Sequence, residues 1–300
     1  MIKYSLAGYY SHYRVNMMIL LFYRFHPEFF YDNIQIDSVF GCLPAEPWSG
    51  CRIITPKTWC NPVTRDIYDL RDSYYDMGVK LRHTYTNSQL TEDVFHNFRS
   101  LQWTEACHKE GNSIILVDER LKKFLHERFP LYNFVWSTSL CCKDLNKINE
   151  LSKEDMVVLD YNFNTDTEAL KSLENPKNIE IMLSEACPDN CPYRYKHYQV
   201  ESRHILNAEK DKDEILTCYL THVKYNTFYD MLRRNNAILT LEQVNDLHDK
   251  YGFENFKIAG RDYNPITYTE SLMYYLVKPE HKDYVRQMML LEYFEWLERK

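Results

Sequence analysis

Eight short apolar runs recur along the chain, at residues 2–8, 34–40, 79–86, 113–118, 133–138, 156–160, 179–184 and 253–260, and longer amphipathic stretches separate them. Runs such as Ile114-Ile115-Leu116-Val117 and Met156-Val157-Val158-Leu159 are continuous rather than alternating. Continuity suits parallel strands buried on both faces. Between the runs, Thr91-Glu92-Asp93-Val94 opens a helical pattern with a Thr cap and an acidic first turn that carries on to Gly111. A second pattern at 119–129 is halted by Pro130, and a third at 240–250 stops at Gly252. Strand–helix alternation repeated eight times predicts an α/β chain closed into a (β/α)₈ TIM-like barrel, with a doubly wound open sheet as the alternative. Such a barrel takes ~250 residues. No Gly-, Pro- or Ser-rich linker divides the chain, so one barrel domain is expected over 1–300, with a C-terminal helical segment at about 268–300 broken near Pro279.

Composition narrows the function classes. A net charge of −7 argues against a sequence-independent grip on nucleic acid, which needs clustered cations. The chain has only seven glycines and neither a GxGxxG nor a GxxxxGK, so no nucleotide cofactor is expected. The nine cysteines are odd in number and scattered, which reads as a reducing, cytoplasmic setting. The apolar stretch at 17–23 is too short for a membrane span, and no N-terminal signal is visible.

In a barrel of this type the working residues follow the strands. Those positions include Cys42, Asn87, Asp160 and Arg261. The densest stretch follows the seventh run, where Glu185, Cys187, Cys191, Arg194 and His197 lie within thirteen residues. Two thiols and an imidazole can converge on one metal if the loop folds back, and a proline after each cysteine stiffens it. Zinc or an iron–sulfur cluster wants about four ligands. Cys42 is the best-placed outside candidate; Cys218, Cys60 and Cys51 are weaker ones. The CxxxCxxC spacing of radical chemistry is absent, because Arg194 stands where the third cysteine belongs. Burial of Glu185 favours general acid–base work, whereas pairing with Arg194 or Arg261 leaves it holding the loop. His197 reads as base, metal ligand or surface residue. Arg261 and Arg194 suit an anionic substrate, with Asn87 and Asp160 as further polar contacts.

Two segments carry a likeness. Phe256-Lys257-Ile258-Ala259-Gly260-Arg261 resembles the K-I-E-G-R motif of the collagenase-like peptidases (peptidase family U-32), and residues 180–192 resemble that family's strand and cysteine-bearing loop. Phe40-Gly41-Cys42 and Trp48-Ser49-Gly50-Cys51-Arg52 are similar to its early segment. The resemblance implies a barrel. It also implies kinship with oxygen-independent hydroxylation proteins that act on RNA or quinone precursors, draw on prephenate and hold a 4Fe-4S cluster on four cysteines. Carried over by position, Cys187 and Cys191 would be ligands, with Cys42 a possible third. The chain departs from the pattern at Ala259, which replaces the motif's acidic residue, and at Cys51, which replaces a glycine.

Three functional expectations follow. The first is a metal- or iron–sulfur-dependent hydroxylase acting on a small molecule or RNA: Cys187, Cys191, Cys42 and Cys218 hold the metal, and Glu185 and His197 handle protons. The second is a zinc-assisted or metal-free hydrolase. The third is a non-catalytic barrel that binds a partner, as a homo- or hetero-oligomer with a related barrel, for which the 25 tyrosines suit an interface.

Overall fold

The computed structural model describes residues 1–50, 67–206, 225, 227–260 and 263–298. Eight strands, β1 (Ile2–Ala7), β2 (Ile34–Gly41), β3 (Lys80–Tyr85), β4 (Ser113–Leu116), β5 (Asn133–Trp136), β6 (Met156–Val158), β7 (Ile179–Met182) and β8 (Asn255–Lys257), pair in parallel in chain order. β8 returns to β1 and closes the barrel. The (β/α)₈ expectation therefore holds, and the open-sheet alternative does not. The helices are α1 (Tyr13–Phe25), α2 (Ile67–Asp76), α3 (Phe98–Ala106), α4 (Glu119–Arg128), α5 (Leu145–Leu151), α6 (Thr167–Lys171), α7 (Arg194–Leu206), α8 (Phe228–Arg234), α9 (Leu241–Tyr251), α10 (Pro265–Leu276) and α11 (Lys282–Glu298). Among the described residues no helix is long and apolar enough to cross a membrane.

Local chemistry accounts for most helix ends. Asp118 caps α4 by accepting from the Arg120 and Leu121 amides. Thr240 and Gln243 form a reciprocal capping box on α9, which ends at Gly252 with φ 79°. The helix expected to start at Thr91 is different. Residues Glu92–His96 make a 3-10 turn, and α3 begins only at Phe98, where the Asn97 side chain accepts from the Ser100 amide. Asn97 supplies the capping acceptor that the Thr91 side chain does not, and the helix starts there. The C-terminal segment divides as expected, with a 3-10 turn at Pro279–His281 between α10 and α11.

The barrel interior is unusually polar. Bulky branched residues dominate most barrels of this type. Here the Arg82 guanidinium on β3 meets the Glu180 carboxylate on β7, four strands round and so across the axis. Arg82 also donates to Ser5 Oγ at 2.8 Å, and Ser5 shares a hydrogen bond with Ser38 at 2.7 Å. Lys257 Nζ lies 3.8 Å from Glu180 Oε2 and 4.0 Å from the centroid of the Phe40 ring.

Outside the barrel wall, β3 turns a second polar set toward α3. Trp103 Nε1 donates to Tyr9 Oη at 3.2 Å, and Tyr132 Oη donates to the Thr104 carbonyl at 2.7 Å. With the Tyr132 proton so used, His83 Nε2 donates to Tyr132 Oη at 3.2 Å, and His83 Nδ1 accepts from Tyr9 Oη at 3.3 Å. Burial holds this imidazole neutral, pushing its pKa down to about 3.

Candidate functional site

Two concavities lie at opposite ends of the barrel. The larger, about 880 Å³, opens at the amino ends of the strands and has Ser5, Ser38, Arg82 and Glu180 among its lining residues. Its rim cations meet carboxylates: Lys3 with Glu254 at 3.0 Å, Lys80 with Asp37 at 2.7 Å, Lys122 with Asp155 at 2.5 Å and Lys177 with Glu254 at 3.4 Å. Size alone would make it the site. Its charges, however, are matched within the wall, and the loops that follow the strands lie at the other end.

At the carboxyl ends, strand-end residues converge on a mouth of about 70 Å³. Thr84 comes from β3 and Thr86 directly follows it, Ser137, Thr138 and Ser139 come from the turn after β5, Glu185 from the loop after β7, and Lys257 from β8. Phe40, Ile115 and Met182 supply apolar wall, and Tyr198 of α7 reaches in from the side. Gly260 also lines this space: its φ is 143°, and a Cβ there would come within 2.7 Å of the Tyr268 ring. Gly50 is needed for a different reason, since a Cβ would approach the Thr86 carbonyl oxygen to 2.4 Å.

The residues singled out from the sequence fall into separate groups. Glu185 is buried at 3% exposure and lines the mouth, where its Oε1 accepts from the Cys187 amide at 3.0 Å. Asp160 and Arg194, read as substrate contacts, are joined to each other. Arg194 Nη1 donates to Asp160 Oδ2 at 2.8 Å, Nη2 donates to Thr138 Oγ1 at 2.7 Å, and Nε donates to Tyr198 Oη at 3.0 Å. Arg194 also lies 4.1 Å from the Tyr161 ring centroid. This guanidinium clasps the loops after β5 and β6 to the start of α7. It pairs with Asp160; of the two partners the sequence offered Glu185, Arg194 is thus engaged elsewhere and Arg261 lies outside the described residues. Asn87 is likewise engaged in structure, donating to the carbonyls of Pro47 at 3.0 Å and Ser202 at 3.1 Å.

Of the proposed metal ligands, Cys187 is buried against Tyr161 and Ala237, and Cys191 is partly exposed. Cys42 is buried and accepts a hydrogen bond from Ser49 Oγ at 3.2 Å. His197 Nε2 lies 3.4 Å from Glu201 Oε1, one turn along α7. Cys218, Arg261, Cys51 and Cys60 lie outside the described residues. Among the described residues, no three His, Cys, Asp or Glu side chains gather where a metal ion could be held.

Sequence reasoning placed Ser137 and Thr138 among the strand-end positions but missed Lys257 and Thr84. The signal was present in β8, where Asn255, Lys257 and Ala259 alternate at period two on the inward side. Treating that run as a motif with Arg261 as its functional end hid the lysine.

No protein-family model matches the chain, and no curated protein matches its sequence. A solved structure described as "The Structure of the U32 Peptidase Mk0906" superposes with a TM-score of 0.54. The superposition covers 87% of this chain and 93% of that one, at 14% sequence identity. At that identity the likeness is one of fold, and the chain is a closed (β/α)₈ barrel built like that of a U32 peptidase.

Proposed function

We propose that this U32-like barrel is an enzyme working at its carboxyl-end mouth on a small polar substrate, or on a small polar group of a larger one such as RNA, with Glu185 moving a proton. The observation that carries the reading is the convergence of a buried carboxylate, a buried amine and several hydroxyls on one small space. A carboxyl group withdrawn from water and a pre-placed set of hydrogen-bonding groups are what general acid–base catalysis uses. Volume limits what reacts there, since about 70 Å³ accommodates roughly the bulk of two water molecules.

The hydroxylase reading needs a cluster, and the zinc-assisted reading needs zinc. The described ligands do not supply either site by themselves. Cys42 is hydrogen-bonded to Ser49, and Cys187 packs beneath Tyr161. No step is therefore drawn through a metal. Metal and sulfide analysis after anaerobic purification separates the readings: iron with matching sulfide supports the hydroxylase, and stoichiometric zinc the hydrolase.

The mouth itself is tested by ligand-observed NMR with a panel of small acids, aldehydes, ketones and polyols. Compounds that bind the wild type and lose binding in Thr84→Val and Ser137→Ala support the reading. Binding that persists unchanged in both variants, or no binding across the panel, overturns it and favours the partner-binding barrel.

A further inference from the structure

Helices α1 and α11 each carry apolar residues on two sides. α1 buries Ile19 and Leu20 and turns Met18, Leu21 and Phe25 outward, at spacings of three and four. α11 buries Val285 and Met289 and leaves Tyr284, Met288 and Leu291 exposed, at spacings of four and three. A helix that is apolar on both sides is one that is covered on both sides. The two outward stripes adjoin. Met18, Leu21, Phe25 and Met288 line one groove of about 460 Å³, and a second of about 200 Å³ continues past Met18 and Leu21 to Ile266 of α10. Phe25 is 65% exposed, Leu291 57% and Ile266 52%. Counting roughly 200 Å² for a large side chain fully in water, the exposed parts of Leu21, Phe25, Ile266, Tyr284, Met288 and Leu291 present on the order of 600 Å². That is near the top of what a monomer shows in one patch, and most of the ~800 Å² that each partner gives to a standard interface.

Charges at the rim of this patch point to what covers it. Arg24, next to Phe25, is exposed, and its Nη1 donates to the Asp76 carbonyl at 3.1 Å. Glu292, next to Leu291, is exposed and borders both grooves. Among the described residues neither Arg24 nor Glu292 has an ion-pair partner. One face thus holds a protruding ring, a groove to receive one, an unpaired cation on one helix and an unpaired carboxylate on the other. We propose that this face is the two-fold interface of a homodimer, in which α1 of each copy packs on α11 of the other. A two-fold axis makes every contact twice, so a surface can bind its own copy only if its parts complement one another. Here each Phe25 enters the groove of the other copy, and each Arg24 faces Glu292 of the other copy. Apolar centre and charged rim then stand as they do in stable interfaces, the centre giving affinity and the rim fixing register. The proposal is independent of the mouth, since none of these residues lines it.

Sedimentation velocity of the full-length protein, from about 1 to about 100 μM, tests this by mass action. The expected result is a two-chain species that dominates at the upper concentrations. Phe25→Glu and Leu291→Glu each weaken association at least about 100-fold, and because both side chains stand in water in the single chain, far-ultraviolet circular dichroism stays that of the wild type. Arg24→Glu and Glu292→Arg each weaken association about tenfold at low salt, by setting like charges opposite one another twice. The double variant Arg24→Glu/Glu292→Arg restores it to within about threefold, which happens only if the two residues meet across the interface. A single-chain species throughout the range overturns the proposal and leaves the patch to a different protein. A dimer indifferent to Phe25→Glu and Leu291→Glu overturns it as well, because the contact then lies elsewhere. A double variant no tighter than either single one overturns the packing of α1 on α11. Ligand binding at the mouth is scored separately, so neither reading falls with the other.

Discussion

At the amino end of the barrel Lys3, Lys80, Lys122 and Lys177 each meet a carboxylate across the rim of a wide funnel. At the carboxyl end, Lys257 and Glu185 share a far smaller space with hydroxyls from β3 and the turn after β5. Both ends are polar, but the charges are placed for different ends. Rim pairs sit partly in water, where each contributes ~0.2–1 kcal/mol and needs no ligand. In the mouth the charged groups are desolvated, and their interaction with anything that enters is correspondingly stronger. The Arg82–Glu180 pair lies between the two, buried on the axis. The proposed function follows desolvation and strand polarity, rather than cavity size, in choosing the working end.

The comparison can be broken in several places. The largest expected effect is on turnover in Glu185→Gln, a fall of about 10²–10⁴-fold with little change in stability. An equal loss on neutralising Lys80 at the funnel rim would reverse the assignment of the two ends. Next comes the axial pair. Glu180→Leu leaves Arg82 and Lys257 buried together without that carboxylate, and urea unfolding should show a loss of ~3–5 kcal/mol. The double variant Glu180→Leu/Arg82→Met should recover much of it, and a failure to recover would mean that Lys257 depends on Glu180 directly.

His83 sharpens the comparison from outside the barrel. Its folded-state pKa lies near 3, below the ordinary 6.5, so the unfolded chain takes up a proton that the folded chain refuses. The stability this group contributes is complete above about pH 6.5 and declines as pH falls toward 3, by about 1.4 kcal/mol per pH unit. Stability curves measured at stepwise pH should show that slope in the wild type and lose it in His83→Gln. The smallest effect is at the rim: Lys80→Met should change unfolding free energy by under ~1 kcal/mol and leave mouth binding untouched, as chemical denaturation and NMR titration would show.

Much of the barrel could be read from residue order alone. Continuous apolar runs such as Ile114–Val117 mark strands covered on both sides, and Asp118, Thr240 and Gly252 mark helix ends through contacts within one turn. These are local signals, set by period, capping and backbone preference. The placement of Glu185 at the carboxyl end was also legible, because it follows a strand and precedes a stiff loop. The fate of Arg194, Asp160 and Asn87 was not. Whether a polar side chain faces a ligand or clasps a neighbouring loop depends on residues as much as 115 positions away, as in the bond from Asn87 to Ser202. Lys257 and Glu180 show the same limit: 77 positions separate them in the chain, and only closure of the barrel brings them to 3.8 Å. The sequence by itself thus determined the number of strands, their parallel direction and the end at which the loops gather, since each rests on short-range pattern, while closure into a barrel was settled only in the fold. Tertiary structure alone decided which charges meet across the axis and which remain at the mouth, because electrostatic pairing is a matter of distance in space and of water excluded, and neither is written in the spacing of residues along a chain.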